Sequence, residues 1–317
     1  MLHRLNRQTA FLVAFAITAF FALQVPELFL TPGNLANVAR QISLDAPLVL
    51  GQALVLIAGG IDISLGSTMA MAGALAAGLQ HYGTPLAVAA ALTFGLCVGA
   101  LNGLLVTRFG IVPFVATLGT MSLVRGLLLT YTQQQSIPIT NETLAWLGSD
   151  LGPLPLPLLS SLALLALLSL MLSRTRTGRD LYATGGNREA AYLAGVAVDR
   201  SLVLAFLASG LLAALAGVLL AARLNAATVQ LGMDTPLLTI SAAMIGGASL
   251  LGGRGTMLGA FLGLVALGVL NNGMNLLGVH THYQIAIRAL ILVSVVALDA
   301  LGARLARRRA AARAVAG

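Results

Sequence analysis

The chain has 317 residues, of which 58% are hydrophobic and only 9% are charged. An average soluble domain carries roughly 25% charged residues, so this composition excludes an ordinary water-soluble fold and predicts a protein that lies in a lipid bilayer. The formal net charge is +8, and all 18 basic residues are arginines. A chain without lysine cannot form the usual P-loop, which places a lysine on the phosphates. The arginines are dispersed over short loops and the two ends, which does not favour a nucleic-acid surface.

Apolar runs bounded by Gly, Pro, Arg and Asp predict an all-α polytopic membrane protein, with a single domain over 1–317. The first run follows Arg4 and Arg7 as in a signal peptide, but no convincing cleavage site follows it, so we interpret it as an uncleaved helix. Some runs are short or closely spaced, as broken or re-entrant helices are where backbone lines a cavity. The predicted spans, ten in all, are 10–28, 41–58, 62–80, 86–107, 113–132, 156–173, 201–222, 236–252, 256–274 and 283–302.

The distribution of arginines predicts the orientation of these spans. If the N-terminus is cytoplasmic and the spans alternate, every arginine except Arg40, Arg125, Arg223 and Arg288 falls on the cytoplasmic side. Cytoplasmic loops carry the excess of positive charge in membrane proteins. We therefore predict a bacterial inner-membrane protein with both termini in the cytoplasm.

Two stretches look internally related. In each, a glycine pair, Gly59-Gly60 or Gly246-Gly247, precedes a Thr-Met pair and then a Gly-Ala pair. Both stretches start helices that run outward in the predicted topology, as a parallel repeat requires. Chance similarity among small residues explains them equally well, since small residues also let membrane helices pack closely.

The longest polar cytoplasmic stretch is 174–200. Asn187 can cap a helix that begins at Arg188, Glu189 sits in its first turn, and Gly195 can end it in a left-handed conformation. Gly185-Gly186 is interpreted as the turn before it. A helix of about two turns is too short to be stable alone, so it lies against the membrane surface or, as we favour, docks on another protein.

The same stretch carries a family resemblance. GRDLYATGGNREAAYLAGV at 178–196 resembles the cytoplasmic loop of ribose-type ABC importer permeases. Three further stretches match that family in the same order, namely GGIDISLGS at 59–67, GGASLLGGRGTMLGA at 246–260 and NNGMNLLGVHTHYQ at 271–284. Each match is weak alone, but together they cover nearly the whole chain.

The resemblance implies the permease subunit of an ATP-driven importer of ribose or a similar monosaccharide. It implies a second permease copy, cytoplasmic ATP-binding subunits that use the ATP, and a periplasmic sugar-binding protein; the chain itself would be non-catalytic and bind no cofactor or metal. It also identifies 187–195 as the coupling helix. The residues assigned to coupling are Arg179, Gly185, Gly186, Asn187, Arg188, Glu189, Ala190 and Gly195.

The chain departs from the family pattern ahead of Gly246-Gly247. Ribose permeases of this type commonly carry an acidic pair there, whereas this chain reads TPLLTISAA, with Asp234 displaced towards the preceding loop. The resemblance therefore predicts a monosaccharide importer without fixing the sugar as ribose.

Two arginines fall within predicted spans. Arg125 lies mid-span, where insertion costs about 2.5–3.5 kcal/mol, so it either faces the transport path or bonds to carbonyls at a helix break. Arg288 lies nearer the outer face and is interpreted mainly as snorkelling to the interface.

Neutral polar residues supply the remaining candidates for the substrate path. An amide side chain both donates and accepts hydrogen bonds, as sugar hydroxyls do, although capping and interhelical bonding are common alternatives near helix ends. Asp62 and Ser64 follow a glycine turn, where a helix N-cap explains them and a gating role is the alternative. The candidates, with Arg125, are Asp62, Ser64, Asn102, Asn271, Asn272 and Asn275.

An ion-coupled secondary transporter of a small polar solute is the alternative function. Such carriers usually need ionisable groups in the membrane, whereas Asp45, Asp62 and Asp299 sit near the ends of predicted spans. A channel lacks a filter motif here, and an intramembrane enzyme lacks a nucleophile with a base. Cys97 is predicted to be a small buried hydrophobe, and the His280/His282 pair has no carboxylate close by in sequence.

Overall fold

The computed structural model describes residues 2–152 and 154–316, with side chains at 11–152, 154–297 and 301. The chain is predominantly helical, as predicted. The helices are α1 Leu2–Gln24, α2 Pro26–Phe29, α3 Pro32–Ile57, α4 Leu65–Gly78, α5 Thr84–Thr107, α6 Pro113–Thr132, α7 Glu142–Trp146, α8 Leu156–Arg174, α9 Arg176–Gly186, α10 Arg188–Leu193, α11 Val198–Leu224, α12 Thr235–Ile245, α13 Met257–Leu276 and α14 Thr281–Ala316, with a 3-10 turn at Gln80–Tyr82. The strands, of two residues each, are β1 Ile137–Pro138, β2 Asp150–Leu151, β3 Leu154–Pro155 and β4 Ala226–Ala227.

Within the described residues, six helices are long and apolar enough to cross a membrane: α3, α5, α6, α8, α11 and α13. Shorter apolar helices lie at Phe11–Gln24, Leu65–Gly78, Thr235–Ile245 and Thr281–Ala297, which are four more of the predicted spans. The all-α membrane architecture is therefore confirmed, while the count of ten crossings stays a prediction. The second span, predicted as 41–58, is longer than predicted, because its helix begins nine residues earlier, at Pro32, and runs for 26 residues.

Proline and capping side chains determine where several helices begin. Proline is found in the first turn of α3, α5, α6, α8 and α12, where its missing N–H has no intrahelical acceptor to lose. Thr31, Thr175 and Thr256 each accept a hydrogen bond from the amide three residues onward. These local contacts satisfy backbone donors that would otherwise be left unpaired at a helix start.

Pro47 lies inside α3, which continues through it. A proline cannot donate to the carbonyl four residues earlier, so the carbonyl of Ser43 has no partner within the helix. The hydroxyl of Ser161 on α8 donates to this carbonyl over 2.6 Å. Both serines are fully buried, and the hydrogen bond attaches α8 to α3 at the proline.

α11 forms the centre of the bundle and packs against α3, α4 and α5. Its crossings with α4 and α5 are made where glycines face each other. A β-carbon on Gly95 would collide with the backbone of Gly210, and one on Gly217 would collide with the backbone of Met69. Small residues at these crossings let the helix backbones approach closely, which is the usual packing device between membrane helices.

The loops gather at two ends of the bundle. At one end, α9 contacts the α3–α4 loop through Gly59 and the α12–α13 loop through Gly253, and Arg188 of α10 donates to the Gly59 carbonyl. At the opposite end, β1 pairs with β4 and β2 with β3, both antiparallel. The side chain of Gln80 also accepts hydrogen bonds there from the amides of Thr140 and Asn141. We call these the α10 end and the opposite end.

The prediction that Cys97 is buried is wrong, because its side chain is exposed on the surface of α5. α5 is apolar on almost all sides, so periodicity could not indicate which face packs inward. The side chain of Asp299 lies outside the described residues.

Candidate functional site

The predicted cytoplasmic helix exists as α10, Arg188–Leu193. The Asn187 side chain accepts a hydrogen bond from the Ala190 amide over 3.0 Å, and Gly195 has a φ of 77° after the helix ends. The predicted cap, start and left-handed exit are thus confirmed. The helix is exposed, with Tyr192 and Leu193 at 73% and 79% of their full accessibility, so it presents two apolar side chains to a partner or a surface.

The interpretation of Gly185-Gly186 as a turn is wrong. Both glycines are the last residues of α9, an 11-residue helix that precedes α10 and also holds Arg179. The stretch 174–200 therefore contains two short helices, α9 and α10, which are separated at Asn187. Of the eight predicted coupling residues, Gly185 alone is buried and the others are exposed.

Gly185 lies in a contact made almost entirely of backbone, which we call the glycine junction. It consists of Ile57, Gly59, Gly185, Gly252 and Gly253. A β-carbon on Gly185 would collide with the backbone of Ile57 and Gly253, and one on Gly252 would meet Gly185 and Gly59. The Gly253 amide also donates to the Ile57 carbonyl over 2.9 Å. The ends of α3, α9 and the α12–α13 loop therefore meet at one point.

Two side chains from the α9–α10 segment reinforce this junction. The Arg188 guanidinium donates to the Gly59 carbonyl over 3.1 Å, and the Tyr182 hydroxyl donates to the Gly255 carbonyl over 2.7 Å. The Tyr182 phenol is protonated at neutral pH at the ordinary tyrosine pKa of about 10, and burial raises that pKa further. The segment is thus hydrogen-bonded to the α3–α4 loop and to the α12–α13 loop.

A buried polar group, the Asp62 cluster, follows in the α3–α4 loop. One Asp62 oxygen accepts hydrogen bonds from the Ser64 amide over 2.9 Å and from the Ser64 hydroxyl over 2.6 Å. The other accepts from Ser209 of α11 over 2.7 Å, and the Asn102 amide donates to Ser64 over 2.9 Å. All four residues are at most 1% exposed, and they join α4, α5 and α11 near the α10 end.

The structure thus brings together three of the predicted path residues, Asp62, Ser64 and Asn102. Asp62 accepts hydrogen bonds from Ser64 in its own loop and from the distant Ser209. Ser64 immediately precedes α4, but no side chain caps that helix by a hydrogen bond, so the N-cap interpretation of Asp62 and Ser64 is wrong. The Asn102 side-chain oxygen is buried without a partner among the described residues. Sequence reasoning missed Ser209, although a hydroxyl within the apolar run of α11 was a visible signal.

The three asparagines of α13 lie apart from that cluster, at the opposite end of the same bundle. Asn272 and Asn34 exchange amide hydrogen bonds of 3.0 Å and 2.7 Å, and Asn275 accepts from Gln284 over 2.7 Å. These two therefore connect helices, whereas the buried oxygen of Asn271 has no partner among the described residues.

Arg125 lies on α6, where its guanidinium donates to the Leu231 carbonyl over 3.3 Å. Leu231 belongs to the non-helical stretch between β4 and α12. The predicted path residues therefore do not line one continuous path: Asp62, Ser64 and Asn102 lie together, whereas Arg125 and the asparagines of α13 lie elsewhere. The geometry agrees with the alternative in which Arg125 bonds a carbonyl at a helix break.

The two related stretches share one local geometry. Gly59 and Gly247 both have positive φ, of 82° and 89°, directly after the ends of α3 and α12. At both ends the same pair of amide-to-carbonyl bonds is present, from Gly59 and Gly60 and from Gly247 and Ala248. However, Thr256 caps α13 whereas Thr68 lies inside α4, so the equivalence covers the helix ends and not the Thr-Met pairs.

Comparison with known proteins places the chain in a family. The family described as branched-chain amino acid transport system / permease component matches residues 34–296. The chain belongs to this family of transport-system permease components, and the resemblance to ribose-type permeases is confirmed by its relatives. No solved structure matches it.

The relatives cover nearly the full chain. The ribose import permease protein RbsC of Bacillus subtilis (strain 168) is 37% identical over 301 residues, which are 91% of this chain and 91% of that protein. The ribose import permease protein RbsC of Escherichia coli (strain K12) is 36% identical, with coverage of 93% and 94%. The D-allose transport system permease protein AlsC of the same strain is 34% identical, with coverage of 93% and 92%.

Proposed function

We propose that this chain is the permease subunit of an ATP-driven, binding-protein-dependent importer of a monosaccharide, with 1–317 as one permease domain. The observation that carries the proposal is similarity over more than nine-tenths of the chain to permeases named for ribose and allose. The family description instead names branched-chain amino acids. The named relatives favour a sugar, and uptake assays must include leucine as the competing substrate.

The α9–α10 segment is the part of the chain proposed to couple transport to ATP hydrolysis. Its exposed Tyr192 and Leu193 offer an apolar contact to a cytoplasmic ATPase, and Asn187 and Gly195 define both ends of the short helix. The glycine junction and Arg188 connect that helix to the α3–α4 and α12–α13 loops. A displacement of α10 by the ATPase would therefore move both loops together.

We also propose an orientation of the chain in the membrane and a set of partners. The α10 end faces the bacterial cytoplasm with both chain termini, because that orientation places most arginines inside. The opposite end faces the periplasm and receives the sugar-binding protein. A second permease copy completes the path, and the chain supplies the path and its hinge while the ATPase supplies the chemistry.

The decisive experiment is ATP-driven uptake by the permease reconstituted in liposomes with its genetically neighbouring ATPase and binding protein. Glu189→Arg reverses a charge in the first turn of α10, and Asp199→Arg makes the matched change in the first turn of α11. We expect sugar-stimulated ATP hydrolysis to collapse only in Glu189→Arg, with the complex still assembled. Uptake by the permease alone, driven by an ion gradient without ATP, would instead establish the secondary transporter.

A further inference from the structure

Between β4 and α12 the chain passes into the bundle without regular structure. β4 lies at the opposite end, where it pairs with β1, and α12 leads into the α12–α13 loop at the α10 end. α12 has 11 residues, so it covers about 16 Å, roughly half of a hydrocarbon core of about 30 Å. The non-helical residues 228–234, which we call the mid-membrane segment, therefore connect the opposite end to the middle of the bundle.

Two contacts hold this segment inside the bundle. Gly232 has a φ of 84° and lies backbone to backbone against Gly66 in the first turn of α4, because a β-carbon on either glycine would collide with the backbone of the other. The Arg125 guanidinium donates to the Leu231 carbonyl over 3.3 Å. Arg125 lies within α6, far from both ends of that 20-residue helix, so the carbonyl that it binds is also distant from both ends of the bundle.

The mid-membrane segment exposes polar side chains at this depth. Gln230 and Asp234 are both exposed, and neither makes a hydrogen bond to another residue in the described part of the chain. Lipid offers such groups no hydrogen bond, and irregular backbone at membrane depth is tolerated only where protein buries it or water reaches it. These two side chains therefore require water or a polar partner.

Neither side chain is long enough to reach the membrane surface. Arg288 shows the contrast, because its Nε donates to the Gln284 carbonyl over 3.3 Å, one turn nearer the start of α14. A long side chain can snorkel in this way. The carboxylate of Asp234 and the amide of Gln230 are separated from the backbone by only one and two methylene groups, so their polar atoms stay at the depth of the segment.

We propose that the mid-membrane segment lines a water-filled path for the sugar, with Gln230 and Asp234 forming hydrogen bonds to its hydroxyls. This inference rests on the function proposed above and names the part of the chain that meets the substrate. The Gln230 amide both donates and accepts and the Asp234 carboxylate accepts, which matches the two roles of a sugar hydroxyl. Because both side chains lie on the surface of a single chain, the path runs between this chain and the second permease copy.

The contact between Gly232 and Gly66 connects this path to the α10 end. Gly66 lies two residues beyond Ser64 of the Asp62 cluster, and the α3–α4 loop that carries the cluster also holds Gly59 at the glycine junction. A displacement of α10 that reaches the start of α4 would therefore move the backbone against which Gly232 packs. The width of the path would change with the state of the ATPase.

Thiol labelling in the assembled, reconstituted complex tests whether water reaches the segment. In a Cys97→Ser background, Gln230→Cys places one thiol on the mid-membrane segment. Leu127→Cys places one on α6, two residues from Arg125, where Leu127 is 46% exposed. Thiols react as thiolates, which need water, so a charged methanethiosulfonate reagent should label position 230 about tenfold faster than position 127, or more.

Two labelling results would overturn the proposal. Equally slow labelling at positions 230 and 127 would show that water does not reach the segment. Slow labelling at 230, together with an oxidant-induced disulfide between two copies of Gln230→Cys, would place this residue in a dry interface between permeases.

Transport by the labelled complexes tests whether the segment meets the sugar. Complete labelling of Gln230→Cys should lower ATP-driven uptake of ribose or allose at least several-fold, whereas the same treatment of Leu127→Cys should leave uptake unchanged. Millimolar ribose or allose should also slow labelling at position 230 several-fold. Unchanged uptake after complete labelling at 230 would remove the segment from the path.

The outcomes separate this inference from the proposed function. A wild-type complex without ATP-driven sugar uptake contradicts the proposed function, whatever the cysteines show. Labelling at position 230 that leucine slows and neither sugar slows would overturn the sugar in both proposals. A wild-type complex that imports sugar, while position 230 behaves as position 127 does, overturns the role of the mid-membrane segment and leaves the importer in place.

Discussion

Ser161 on α8 donates a 2.6 Å hydrogen bond to the carbonyl of Ser43, the group that Pro47 leaves unpaired in α3. Pro47 and Ser161 are more than a hundred residues apart in sequence. The carbonyl that the proline leaves unpaired in one helix therefore accepts a hydrogen bond from a side chain of another helix. This hydrogen bond can be tested by measurements of stability.

Ser161→Ala should lower the free energy of unfolding by about 1–3 kcal/mol, because it leaves a buried carbonyl unpaired. In a Pro47→Ala background the new amide at position 47 can bond to the Ser43 carbonyl, so the same change should cost much less. Thermal unfolding of the four proteins in detergent measures this cycle. Equal costs in both backgrounds would show that Ser161 does not serve the proline.

Gly185→Ala should destabilise the protein by about 1–3 kcal/mol and uncouple ATP hydrolysis from transport, because a β-carbon there meets the backbone of Ile57 and Gly253. Gly186→Ala is the control, since nothing lies within 4 Å of a β-carbon at that position. Its effect should stay within about 0.5 kcal/mol. Unfolding midpoints and sugar-stimulated ATPase rates compare the two, and equal behaviour would contradict close packing at the glycine junction.

Removing the Ser209 hydroxyl tests the Asp62 cluster. Ser209→Ala should cost about 1–3 kcal/mol, because one Asp62 oxygen loses its 2.7 Å donor inside the protein. Ser173→Ala is a suitable comparison, since Ser173 is exposed and only bonds backward within its own helix. Denaturation in detergent should separate the two variants, and an equal effect would mean that the buried hydrogen bond contributes nothing.

The ion pair between Arg40 and Asp150 predicts a pH dependence at the opposite end. Arg40 donates to both Asp150 oxygens, with the shortest distance 2.8 Å, and this hydrogen bonding lowers the pKa of Asp150. A lowered carboxyl pKa gives stability that is present above the unfolded value, about 3.9, and is lost as the pH falls through the folded value. Melting temperatures between pH 7 and pH 3 should therefore fall more steeply for wild type than for Asp150→Asn, and parallel curves would contradict the assignment.

The Asn34–Asn272 pair distinguishes a helix contact from a sugar contact. If their reciprocal hydrogen bonds serve only to join α3 to α13, Asn34→Ala and Asn272→Ala should destabilise the protein similarly and their effects should not add. The dependence of the uptake rate on sugar concentration should then be unchanged in both variants. A higher half-saturating sugar concentration in Asn272→Ala alone would indicate that Asn272 contacts the sugar.

Features set by neighbouring residues were predictable from sequence. The start of α10 depends on a side chain and an amide three residues apart, and its exit depends on a glycine, so Asn187 and Gly195 could be assigned correctly. The membrane location followed equally directly from the scarcity of charge.

Features set by distant contacts were not predictable. The pairing of Asp62 with Ser209 joins residues 147 positions apart, and no local pattern specifies which helices cross there. Gly185-Gly186 looks like a turn by composition, yet both residues are helical. The glycine at 185 is required by packing, because a β-carbon there would collide with Ile57 and Gly253. Arg288 could be placed on a helix but not beside α12, since that depends on how α12 and α14 pack.

The backbone character of the glycine junction also determines how its motion can be observed. The Gly253 amide donates to the Ile57 carbonyl, so its exchange with deuterated water requires the α12–α13 loop to separate transiently from the end of α3. The exchange rate of that one amide therefore reports how often the glycine junction opens. A comparison of this exchange rate with and without nucleotide on the ATPase would show whether nucleotide changes the opening of the junction, and it needs no added label.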